Sequence, residues 1–112
     1  MYYQNITTDG THTIMNKDGG TQGRFQPRRI TIANKDDSSK NIITLRINDG
    51  SNQYCYFETV LPARVTLEYD IKYFDSSVYS LELITNDSGG TTDISVITYG
   101  DPITLTDQYG IL

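Results

Sequence analysis

The chain has 112 residues, a length that supports one hydrophobic core and not two. Apolar residues make up 37%, charged residues 21% and aromatics 11%, too apolar and too aromatic for a disordered segment. Nine Lys and Arg against 14 Asp and Glu leave a net charge of -5, which opposes phosphate backbones and anionic membrane surfaces, so neither nucleic acid nor a membrane is expected as a partner.

Helix formers are scarce, with two Ala, three Glu and two Met, while Ile, Thr, Tyr and Val abound. The N-terminal Met1-Tyr2-Tyr3-Gln4-Asn5 has neither a basic region nor an apolar one, so no leader or anchor is expected. Two weak β runs follow, Tyr3-Gln4-Asn5-Ile6-Thr7 and Thr11-His12-Thr13-Ile14, joined by Asp9-Gly10. A Gly-rich stretch then leads to Arg24-Phe25-Gln26-Pro27-Arg28-Arg29.

Period-two alternation becomes plain from there. It marks Arg29-Ile30-Thr31-Ile32-Ala33 and Ile43-Thr44-Leu45-Arg46-Ile47 as half-buried strands. Tyr54-Cys55-Tyr56-Phe57 is apolar on both faces and reads as a strand in the middle of a sheet. Next, Val65, Leu67, Tyr69 and Ile71 share one face of an alternating run while Thr66, Glu68 and Asp70 share the other. Tyr79-Ser80-Leu81-Glu82-Leu83 and Asp93-Ile94-Ser95-Val96 repeat the pattern, and Ile103-Thr104-Leu105 is a shorter instance.

Between the runs lie turn signals at 34–39, 48–51, 61–62, 74–77 and 86–90. Asn48-Asp49-Gly50-Ser51-Asn52 predicts a hairpin whose Gly supplies a positive φ, and Asp87-Ser88-Gly89-Gly90 predicts a second. The fold class expected is all-β: an antiparallel β-sandwich, jelly-roll-like, with about six to eight short strands and little or no helix. Within one domain, residues 1–26 read as an N-terminal β arm or hairpin, 27–100 as the central sandwich and 101–112 as a C-terminal strand or arm.

Reactive groups are sparse. His12 is the sole histidine and reads as an exposed strand residue; Cys55, the sole cysteine, reads as a small buried hydrophobe. With one Cys there is no intrachain disulfide and no Cys-based metal cluster. The acidic loops at 35–39 and 86–93 lack the ordered ligand spacing of a calcium loop and read as solvated turns. No catalytic residue, metal or cofactor is expected. The concentration of Arg24, Phe25, Arg28 and Arg29, with the terminal tyrosines Tyr2, Tyr3 and Tyr109, forms the candidate protein-interaction set, because Tyr and Arg are enriched at interfaces.

One longer pattern stands out. Ile30-Thr31-Ile32-Ala33-Asn34 ends in Asn before a polar turn, Ile43-Thr44-Leu45-Arg46-Ile47-Asn48-Asp49-Gly50 carries a hairpin, and Val60-Leu61-Pro62-Ala63-Arg64-Val65-Thr66-Leu67 bends at Pro before an alternating strand. This succession resembles the small β-sandwich virion structural proteins of tailed bacteriophages, from which it departs where Ala63-Arg64 replace the Gly that commonly follows the bend Pro. The resemblance implies a non-catalytic virion protein made in the host cytoplasm, a capsid decoration or cement protein. The alternatives are a tail, neck or fibre-associated module, or a glycan- or ligand-binding sandwich. Its implied partners are capsid or other virion proteins and further copies of itself, as a trimer ahead of a dimer.

Overall fold

The computed structural model describes residues 2–17, 25–72 and 74–102. Eight strands follow in chain order: β1 (Tyr2–Ile6), β2 (Gly10–Met15), β3 (Phe25–Asn34), β4 (Asn41–Asn48), β5 (Gln53–Leu61), β6 (Thr66–Asp70), β7 (Ser80–Asn86) and β8 (Ile94–Pro102). They form two four-stranded antiparallel sheets, ordered β1-β8-β3-β6 and β2-β7-β4-β5. Packed face to face, these are the two layers of an eight-stranded jelly roll, and the all-β sandwich expected from the alternation is the fold observed.

Alternation places the core between the layers. β4 follows it along its whole length, with Ile43, Leu45 and Ile47 inward; β3 contributes Ile30 and Ile32, β7 Leu81 and Leu83, and β8 Ile94 and Val96. Burying each such side chain contributes about 1.5–3 kcal/mol. Along one side of the sandwich, between the edge strands β5 and β6, Tyr69 packs against Phe57 at a ring-centroid separation of 4.9 Å and against Tyr56 at 5.7 Å.

Only β4–β5 stays within a sheet; each of the other connections crosses from one layer to the other. The β4–β5 hairpin turns at Gly50, with φ 104°, as expected. The second expected hairpin does not form: β7 lies between β2 and β4, and β8 between β1 and β3. Both strands already have a partner on each edge, so residues 87–93 arch across the roughly 10 Å between the layers instead of turning back within one. Likewise β1 and β2 do not pair with each other but with β8 and β7.

Other expectations are corrected in the same region. β5 is an edge strand, not a central one, so Cys55 is exposed rather than buried and Tyr54 is 52% exposed. Val65 lies before β6 and is exposed, whereas Leu67, Tyr69 and Ile71 face the core.

Candidate functional site

The outer face of the β1-β8-β3-β6 sheet carries tyrosine, arginine and carboxylate side chains side by side. Pro27 sits at its origin. Proline has no N–H for the ladder, and the register of β3 against β8 shifts by one residue between Pro27 and Arg29. The bulge brings Arg28 and Arg29 together beside a row formed by Tyr99 on β8, Arg29 on β3 and Asp70 on β6. The next row outward on this face runs Tyr3, Ile97, Thr31, Glu68.

Arg29 Nε donates to Asp70 Oδ1 at 2.9 Å and Arg28 Nε to Asp101 Oδ2 at 3.1 Å. The Asp70 carboxylate, through that hydrogen bond and its charge, raises the Arg29 pKa further above its ordinary value, so the guanidinium is permanently charged. Arg28, Arg29, Glu68, Asp70 and Tyr99 line an open depression of about 630 Å³.

A second polar region occupies the pole where residues 7–9, 35–40, 62–65 and 87–93 cross between layers. Thr92 Oγ1 lies 2.7 Å from Asp9 Oδ1 and 2.8 Å from Asp87 Oδ2, and it accepts from Asn41 Nδ2 at 3.2 Å. Asn41 Oδ1 in turn accepts from the Asn86 amide. Asn34 Nδ2 donates to the carbonyls of Ser39 and Leu61, tying the end of β3 to two connections. Asp36 accepts from the Thr91 hydroxyl and from the Ser38 and Ser39 amides, which together pull its carboxyl down to about 2. His12 Nε2, 2.8 Å from the Thr8 carbonyl, belongs to this network. Expected as solvated turns, these loops are a hydrogen-bonded clasp over the pole.

No family model, curated protein or solved structure matches the chain. The sites therefore rest on their own geometry. Arg28 and Arg29, chosen from the sequence, are brought together with Tyr99, Glu68 and Asp70, which were not. Tyr3 shares their face and is 72% exposed, whereas Tyr2 packs against the core. Phe25 opens β3 opposite Pro102, so its backbone is placed beside the same region. Arg24 and Tyr109 lie outside the described residues. The missed three stand on strands far away in sequence, and nothing local links residues 68–70 and 99 to 28–29; only the order β8-β3-β6 does.

Proposed function

We propose that this protein is a non-catalytic virion structural protein of the capsid decoration or cement type, bound to the particle by protein–protein contacts. The observation that carries the reading is the sheet order β1-β8-β3-β6 over β2-β7-β4-β5, since viral capsid domains are among the proteins built on eight-stranded jelly rolls. Architecture alone does not assign function, because lectin domains and cupins use the same layers. Two further features agree with it. The described core is built from Ile, Leu, Val, Met and Phe side chains, and the exposed residues of the outer sheet include Tyr3, Tyr99, Arg28 and Arg29, the residue types that dominate protein interfaces.

Among the described residues β1, β2, β5 and β6 are the edge strands of the two sheets, and an edge strand presents backbone groups to another chain. Symmetric neighbours satisfy such edges, so the working form is a homo-oligomer, a trimer ahead of a dimer. The test is to add purified protein to phage particles lacking it and image them. Ordered extra density at symmetry-related positions is the expected result, with light scattering giving an oligomer at tens of micromolar. Bare particles together with a monomer overturn the reading.

A further inference from the structure

We propose that the depression lined by Arg28, Arg29, Glu68, Asp70 and Tyr99 binds a neutral oligosaccharide. Its volume of about 630 Å³ falls within the span of small-ligand sites, roughly 300–1,000 Å³. It is open, so a chain of sugars can lie across it without a closing loop. It is also built on three hydrogen-bonded strands, β6, β3 and β8, which fix the spacing of the backbone positions that carry its lining side chains.

Charge selects the class of ligand. Each arginine already faces a carboxylate, Arg29 with Asp70 and Arg28 with Asp101, and Glu68 adds a third acid. Among the described residues that line it, no uncompensated cation waits for a phosphate, sulfate or carboxylate, and the chain's net charge of -5 opposes anions at longer range. What the pairs do present is donors beside acceptors. A guanidinium has five N–H groups, the hydrogen bond of Arg29 to Asp70 uses its Nε, and the adjoining carboxylates have further lone pairs to offer. Vicinal hydroxyls of a pyranose each donate and accept, so they match an Arg–Asp couple where a singly charged ligand does not. Tyr99 supplies the remaining element, a partly exposed ring on which the C–H face of a sugar can stack.

The side chains are free to serve this purpose. Exposed ion pairs contribute only about 0–1 kcal/mol to stability, so rearranging them around a ligand costs little. Arg28, Arg29 and Tyr99 are also among the exposed side chains that support the virion reading, but a titration of the free chain with sugars contains no particle, so its failure and the failure of that reading are told apart.

The experiment is 15N-resolved titration of the full chain with maltotriose, cellotriose, mannotriose and lactose, with sialyllactose and a sulfated disaccharide as anionic probes. A neutral member is expected to shift amides of β3, β6 and β8, and the neutral probe should bind at least tenfold more tightly than its anionic counterparts. Tyr99→Ala and Asp70→Asn should each weaken that binding about tenfold with the unliganded spectrum kept. Tyr3→Ala, on the same face but outside the depression, should leave it unchanged. Absence of shifts with all four neutral probes, stronger binding of the anionic ones, or unaltered affinity in folded Tyr99→Ala overturns the proposal; shifts confined to other strands overturn it too.

Discussion

Thr31 carries a hydroxyl oxygen that is buried without a hydrogen-bond partner, the one such side-chain atom among the described residues. A buried unmade hydrogen bond costs about 1–3 kcal/mol, and replacing the group by an apolar one of the same shape removes that cost. Thr31→Val should therefore raise stability by about 1 kcal/mol in urea unfolding; a loss of stability would show that the hydroxyl has a partner in solution. Asp36 is the opposite case, a carboxylate held at about 2 rather than 3.8, first by the Thr91 hydroxyl and then by the Ser38 and Ser39 amides. Its folded pKa is depressed, so its contribution is complete above the unfolded value and disappears as pH falls through the folded one. Asp36→Asn should lower Tm at neutral pH, and the gap to the native chain should close between about pH 4 and pH 2. A gap that persists at pH 2 would mean that the loop is held by shape and not by the charge.

Position in the sheet decides what a strand residue is worth. Leu83 lies on β7 between two neighbours and is fully buried, whereas Leu67 lies on the edge strand β6 and is half-buried. Leu83→Ala should cost about 3 kcal/mol and Leu67→Ala about 1, by transfer and cavity together. Similar losses at both would mean that β6 is covered in solution, as oligomerisation would do. The β5–β6 connection stores a different quantity. Arg64 has φ 64°, a region that costs a residue with a Cβ about 1 kcal/mol or more, and its ion pair with Asp37 is exposed on both sides. Arg64→Gly should thus gain about half a kcal/mol, or about 2–4 °C in Tm.

For the molecule as a whole, the N-terminal strands are part of the sandwich. β1 closes the edge of β8, β2 closes the edge of β7, and Ile6, Ile14 and Met15 are buried in the shared core. Deleting residues 1–15 removes those three side chains, about 1.5–3 kcal/mol each, and bares the backbone of two strands. Since a domain is stable by only about 5–15 kcal/mol, the truncated chain should lose its cooperative thermal transition and its dispersed amide spectrum. A folded truncation would instead make residues 1–15 a detachable arm, as an oligomer-forming extension would be.

Side-chain period and turn chemistry are local properties, and both were legible. Alternation at Ile43, Leu45 and Ile47 gave the inward face of β4, Gly50 gave the hairpin, and the density of such runs gave an all-β sandwich. A turn signal says only that the chain reverses; it does not say whether the next strand joins the same sheet. Asp87-Ser88-Gly89-Gly90 reads like a hairpin, but β7 and β8 each find both hydrogen-bonding edges taken by other strands. The same blindness hid the edge position of β5, where an apolar run looks central although among the described residues the strand pairs with β4 alone. It also hid the depression: Arg28 and Arg29 are visible as a charge pair, while Tyr99, Glu68 and Asp70 reach them only because backbone pairing sets β8 and β6 on either side of β3. Pairing between distant strands is chosen by burying both layers at once, and that is a property of the folded chain and of no single segment in it.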